Sequence, residues 1–207
     1  MDSNTKRFVA CPDFYNLKQQ KLKYIDAFTY ITIRSFHNST KGYAYPPQTA
    51  IEKLSGLSLS TVKLSVSRLE KAGLFYKEPS LAKGRCNRYY FGKLPRFERI
   101  PFELFEANEL KPNEKALLVC IRQFFNHDRL GCLYSIPTIA AHLGLTYNIV
   151  YPIWKSLLHK GFVAEQNKID KAGKVIYKAL YFTSKLNWLY DYENEADKAT
   201  LLKFKVK

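Results

Sequence analysis

YPPQTAIEKLSGLSLSTVKLSVSRLEKAGLF, residues 45–75, is the stretch whose reading decides the fold. Residues 47–54 are predicted to form a short helix, and Ser55-Gly56 a tight turn after it. A third helix of the unit then opens at Ser58 or Ser60, whose hydroxyl can accept from a free amide of the first turn. It closes at Gly73, where glycine suits a left-handed residue after the last turn. At about 100° per residue, Val62, Val66 and Leu69 form one stripe with Ser65 flanking it, which is the expected core face. The opposite side carries Lys63, Leu64, Ser67, Arg68 and Lys71.

Working outward, residues 22–37 have the spacing of a long amphipathic helix. A glycine-containing turn, Thr40-Lys41-Gly42, follows it. Beyond Gly73 come a β-like segment at 74–77, a basic stretch, and a second β-like segment at 88–91. The order is helix, helix, turn, helix, hairpin. The chain then repeats it. Sliding residues 27–54 onto 116–143 superimposes Ala27, Phe36, Gly42, Tyr45, Thr49 and Leu54 on Ala116, Phe125, Gly131, Tyr134, Thr138 and Leu143. After one dropped residue, Gly56, Leu57, Val62, Leu69 and Gly73 meet Gly144, Leu145, Val150, Leu157 and Gly161. Self-similarity of this kind indicates two copies of one small unit. The second copy has helices expected at 113–126, 136–143 and from Thr146 to the glycine at 161, then β-like segments at 162–165 and 175–182.

The 45–75 segment resembles the winged-helix signature of many bacterial regulators, on its short helix, small turn and Ser-x-x-Thr-Val-like opening of the next helix. GRCNRYYF, residues 84–91, resembles their wing. IPFELFEANELKPNEKALLVCIRQF, residues 100–124, resembles the start of winged-helix domains in plasmid and phage replication initiators, pairing an Ile-Pro strand with a Leu-x-x-x-Glu-Lys helix start. The resemblance spans residues 22–183. It implies a mainly α chain with small β-hairpin wings, arranged as two tandem winged helix-turn-helix domains, and double-stranded DNA as the partner. The expected division is a basic arm or frayed end at 1–21, a first domain at 22–92, a linker and lead-in at 93–111, a second domain at 112–183, and a tail at 184–207 that is helical from about Leu186.

In such a fold the third helix enters the major groove. Ser58, Ser60 and Thr61 at its N-terminus suit a phosphate. Lys63, Leu64, Ser67, Arg68 and Lys71 face the bases, with Arg68 a guanine reader and Leu64 a contact for a thymine methyl. Lys83, Arg85, Asn87 and Arg88 make a cationic wing tip around Gly84, which allows close approach to the backbone. In the second copy Tyr151 and Lys155 face outward, with Lys171 and Lys174 on a wing diluted by Asp170. Pro152 lies inside that copy's third helix and removes a backbone donor. Whether the second copy reads bases, adds phosphate contacts or builds a homodimer is open.

Composition agrees with a polyanionic partner. The 207 residues carry a formal charge of +15, a surplus that repels itself until something neutralises it. Residues 1–95 hold 16 basic and 6 acidic side chains, and the remainder 17 and 12, so the first half should meet phosphate more strongly. At 46% hydrophobic and 15% aromatic, the chain can bury a core. Cys11, Cys86, Cys120 and Cys132 form no metal-type pair, and Cys120 falls on an apolar stripe. This reads as a reduced, cytoplasmic chain. No apolar run reaches a membrane-spanning length, and the opening MDSNTKRF lacks a secretory signal's apolar stretch. No phosphate loop, His-x-His pair or paired carboxylate constellation appears, so no enzyme activity, metal or cofactor is expected. Three roles remain: transcriptional regulator, replication initiator or DNA-organising protein of a mobile element, and protein-interaction module.

Overall fold

The computed structural model describes residues 8–80, 86–126, 131–170 and 172–188. The chain runs β1 (Phe8–Cys11), α1 (Tyr24–Arg34), β2 (His37–Asn38), β3 (Tyr43–Ala44), α2 (Gln48–Ser55), α3 (Leu59–Lys71), β4 (Tyr76–Glu78), β5 (Arg88–Tyr90), β6 (Glu98–Pro101) and α4 (Glu103–Glu106). It continues with α5 (Pro112–Ile121), a 3-10 turn at Arg122–Phe124, β7 (Gly131–Cys132), α6 (Ile136–Leu143), α7 (Tyr147–His159), β8 (Val163–Ile169) and β9 (Val175–Phe182).

The expectation of a mainly α chain is corrected. The structure is 41% helix and 20% strand with three sheets, a mixed α/β protein. The excess strand has two sources. Residues in the expected arm and linker pair with each other, β1 against β6 antiparallel from Phe8–Pro101 to Cys11–Glu98. The second hairpin is also long, with β8 and β9 paired from Val163–Phe182 to Ile169–Val175. The other sheets are β2-β3-β5-β4 and β7-β9-β8.

Local chemistry explains the helix ends. Ser58 is the N-cap of α3, its Oγ accepting from the Thr61 amide at 3.3 Å, and Ser135 does the same for α6 through Thr138. Gly56 and Gly144 close α2 and α6 in the left-handed region, at φ +67° and +68°. Gly73 and Gly161 follow α3 and α7, both at +73°. Pro152 is accommodated within α7, which continues past it to His159.

The order α1, α2, α3 recurs as α5, α6, α7 at one constant offset, and β5 recurs within β9 three residues further on. That offset matches the N-caps Lys23 and Lys111, Pro47 and Ser135, Ser58 and Thr146, as well as Gly56 with Gly144. The five identities from Gly56 onward are therefore in structural register. The six drawn from 27–54 are one residue out. The pairs in register there include Ile33 with Ile121, Arg34 with Arg122, and Ile51 with Ile139. All of these except Arg34 are buried.

The two halves share one core. Every residue from Asp26 to Ile33 in α1 is buried, and so is every residue from Glu114 to Ile121 in α5. A helix buried on all sides has no solvent face to spare. These two helices pack against each other, with the Cys120 thiol 3.6 Å from the Tyr24 carbonyl. Phe28 stacks on Phe105 at 5.8 Å. Phe14 and Leu17 are buried, and the Asn16 and Leu17 amides donate to the His142 and Leu143 carbonyls at 2.8 and 3.0 Å. The segment 8–17 is thus anchored by Val9, Cys11, Phe14 and Leu17 in the core. The expected C-terminal helix falls mostly outside the described residues. Trp188 is buried and stacks on Phe182 at 4.2 Å.

Candidate nucleic-acid interface

The inward stripe of α3 is as expected: Val62, Ser65, Val66 and Leu69 are buried. Its solvent side presents Ser60, Lys63, Leu64 and Lys71, all exposed, with Ser67 half-buried. Leu64 is 61% exposed, an apolar side chain alone on a polar face. At the helix start, Ser58 Oγ lies 3.0 Å from Ser60 Oγ and 2.9 Å from Thr61 Oγ1, so three hydroxyls cluster beside the free amides of the first turn.

Arg68 is not on that face. Its Nε donates to Asp26 Oδ2 at 2.7 Å and its Nη2 to Asp26 Oδ1 at 2.6 Å. Ser65 Oγ donates to Asp26 Oδ1 at 2.5 Å. Ser65 and Arg68 are three residues apart and so share a helix face. A fully buried carboxylate on α1 draws both side chains inward. The hydrogen bonds to Asp26 raise the guanidinium above its ordinary value, against the pull of desolvation. Arg68, expected from sequence to read guanine, bolts α1 to α3.

The second half has the same device with different residues. Glu114, at the third position of α5 as Asp26 is of α1, accepts from the Lys111 amide, from Ser156 Oγ and from Lys160 Nζ at 2.6, 2.6 and 2.7 Å. Burial works against its charge. The bonds from Lys160, Ser156 and the Lys111 backbone outweigh that and hold the carboxyl below its usual range. In sequence the signal is a Lys-x-x-Asp/Glu spacing at each helix start. It marks a cap but does not disclose the partner.

Around the first hairpin, Lys83 and Arg85 lie outside the described residues. Asn87 Oδ1 accepts from the Ser80 amide at 3.2 Å, which closes the base of the loop. Arg88 is exposed, but it lies on the sheet. Its guanidinium sits 5.2 Å from the centre of the Tyr43 ring and 3.4 Å from Glu78.

In the second half, Tyr151 stacks on Tyr147 at 4.8 Å, and Lys155 Nζ stands 5.9 Å from the Tyr151 ring. Trp154 is fully buried and donates from Nε1 to Glu165 at 2.8 Å. Glu165 also accepts from Lys178 at 2.7 Å. Lys174 is exposed. Lys171 lies outside the described residues. Asp170, which appeared in the sequence only as a dilution of positive charge, closes the hairpin turn: its Oδ1 accepts from the Ala172 and Lys174 amides at 2.9 Å each. Among the described residues, no cluster of His, Cys, Asp or Glu is placed to hold a metal ion, and no helix is long and apolar enough to cross a membrane.

A feature that sequence reasoning missed is a row of tyrosines on the β2-β3-β5-β4 sheet. Tyr43, Tyr76 and Tyr90 come from three strands, and Tyr45 follows β3 directly. The aromatic excess was visible in composition, but only strand register shows which rings meet.

No curated protein matches the chain. Residues 20–74 match the family model described as a helix-turn-helix domain. The match begins just before α1 and ends after Gly73, so it takes in α1, α2 and α3 together with the Asp26–Arg68 bolt. That segment of the chain is a helix-turn-helix domain.

Proposed function

We propose that the chain is a sequence-specific double-stranded DNA-binding protein of the winged-helix type that acts as a transcriptional regulator, with α3 docked in a major groove. The observation that carries this is the solvent face of α3 within the matched domain. It combines a hydroxyl cluster at a helix N-terminus, two exposed lysines and an exposed leucine. Helix amides and hydroxyls suit phosphate, while Lys63, Leu64, Ser67 and Lys71 suit a groove edge. The +15 charge supplies the non-specific attraction. No catalytic step belongs to this reading.

A second role, initiation of replication on a mobile element, is favoured by one observation. The second half repeats the first unit's order but presents a different outward surface of Tyr147, Tyr151 and Lys155. Two unlike readers in one chain suit an asymmetric site, whereas a homodimeric regulator suits a palindrome.

The test is selection from random duplexes at near-physiological salt, followed by affinity against salt. An enriched motif is expected, and its symmetry separates the two roles. In the Lys63→Ala/Lys71→Ala double variant the salt slope should fall by about 2 if both lysines meet phosphate. Absence of duplex binding would overturn the proposal and leave a protein-interaction module.

A further inference from the structure

The outward face of the β2-β3-β5-β4 sheet carries a ladder of tyrosines. Tyr76 on β4 is directly opposite Tyr90 on β5. The Ala44–Tyr89 pairing places Tyr43 beside Tyr90 on the same face. Ring centres are 6.0 Å apart from Tyr76 to Tyr90, 5.3 Å from Tyr90 to Tyr43, and 5.7 Å from Tyr43 to Tyr45. The alternate residues Ala44 and Tyr89 are fully buried beneath, so the ladder is the free side of a sheet whose other side is core. Tyr76 is 66% exposed and Tyr45 42%.

Cations are set into the row. Lys41 Nζ stands 4.6 Å from the centre of the Tyr45 ring, and the Arg88 guanidinium 5.2 Å from that of Tyr43. The row is held in place from within: the Tyr90 hydroxyl donates to Glu78 at 2.8 Å, and Glu78 in turn meets Arg88. Large rings are therefore held exposed in a fixed geometry, in the half of the chain with the greater positive surplus.

We infer that this face is a stacking platform for single-stranded nucleic acid, separate from the α3 surface. Duplex DNA hides its base faces inside the stack. Unpaired bases offer them, and aromatic side chains beside cations bind such strands through base stacking and phosphate attraction together. An apolar protein partner would not call for lysine and arginine within the row. The inference stands apart from the duplex reading, and the experiment follows both ligands.

The experiment measures fluorescence anisotropy of labelled oligothymidylate and oligouridylate of about 15 nucleotides, and of a duplex, with the full chain. The wild type should bind the single strands. Tyr76→Ala and Tyr45→Ala should each weaken single-strand binding by about fivefold or more, while duplex affinity stays within about twofold. Tyr76→Phe should retain binding, because the ring remains. The Lys63→Ala/Lys71→Ala variant should show the reverse pattern, losing duplex and keeping single strands. Both tyrosines are exposed, and circular dichroism checks that each variant is folded. Preference for one oligonucleotide over the other assigns DNA or RNA as the natural strand. The inference is overturned if the wild type ignores single strands, if both alanine variants bind them like the wild type, or if single-strand and duplex binding fall together.

Discussion

Asp26 is fully buried and receives hydrogen bonds from the Lys23 amide, Ser65 and both arms of the Arg68 fork. A buried carboxylate is tolerable only while such donors surround it. Arg68→Ala would strip two charge-assisted bonds and leave the charge in place, which costs about 3–5 kcal/mol. For a chain of this size that corresponds to a fall in Tm of roughly 6–20 °C. Among duplexes bound by the folded variant, the preference for one sequence over another should be unchanged, because Asp26 holds the side chain inward. Thermal unfolding by circular dichroism and a competition assay check the two halves of this expectation. A stable variant with relaxed sequence preference would return Arg68 to the reading face. The sequence showed that Arg68 lies off the Val62–Val66–Leu69 stripe. It could not show a partner 42 residues away on another helix, because helix periodicity carries no information about which face meets which.

At the scale of elements, the ends of α2 and α6 are a natural comparison. Both terminate on a left-handed glycine, where any other residue costs about 1–2 kcal/mol. A Cβ on Gly56 would meet only the Pro112 side chain, at 3.4 Å. On Gly144 it would meet Asn16 Oδ1 at 3.0 Å and the Lys18 backbone nitrogen at 3.3 Å. That is the segment whose amides satisfy the last carbonyls of α6. Gly144→Ala should therefore lose more stability than Gly56→Ala in parallel urea titrations. Equal losses would mean that residues 16–18 yield without cost. The glycines, the Ser58 cap and the six main helices were legible because each leaves a local mark. The β1–β6 pair was not: the resemblance implied an Ile-Pro strand, but Phe8–Cys11 is four residues, too short for a period. Their pairing is fixed by long-range packing. The sequence suggests a repeat. Its first part was aligned one residue out because Gly42, Tyr45 and Thr49 have chance counterparts in the neighbouring register, whereas caps and buried positions set the true one.

For the whole molecule the question is whether two repeated units behave as two. The sequence suggested a linker and lead-in at 93–111, with an Ile-Pro strand inside it. Residues in that span contribute β6, which pairs with the N-terminal strand, and Phe105, which stacks on α1. Gln123 adds a bond from the second half to the Phe14 carbonyl at 3.0 Å. Since α1 and α5 bury each other and neither keeps a solvent face, separating the halves would expose the buried faces of both helices. Size alone argues the other way, because chains beyond about 150 residues commonly populate intermediates. Packing should win here. Calorimetry of the full chain should give one transition, with calorimetric and van't Hoff enthalpies equal. Residues 1–92 expressed alone should keep helical circular dichroism but melt without cooperativity and bind a hydrophobic dye, as compact states that have lost specific packing do. Two resolved transitions, one of them reproduced by the isolated fragment, would mean that the α1–α5 contact joins two self-sufficient folds, and the halves would then be free to move independently on DNA.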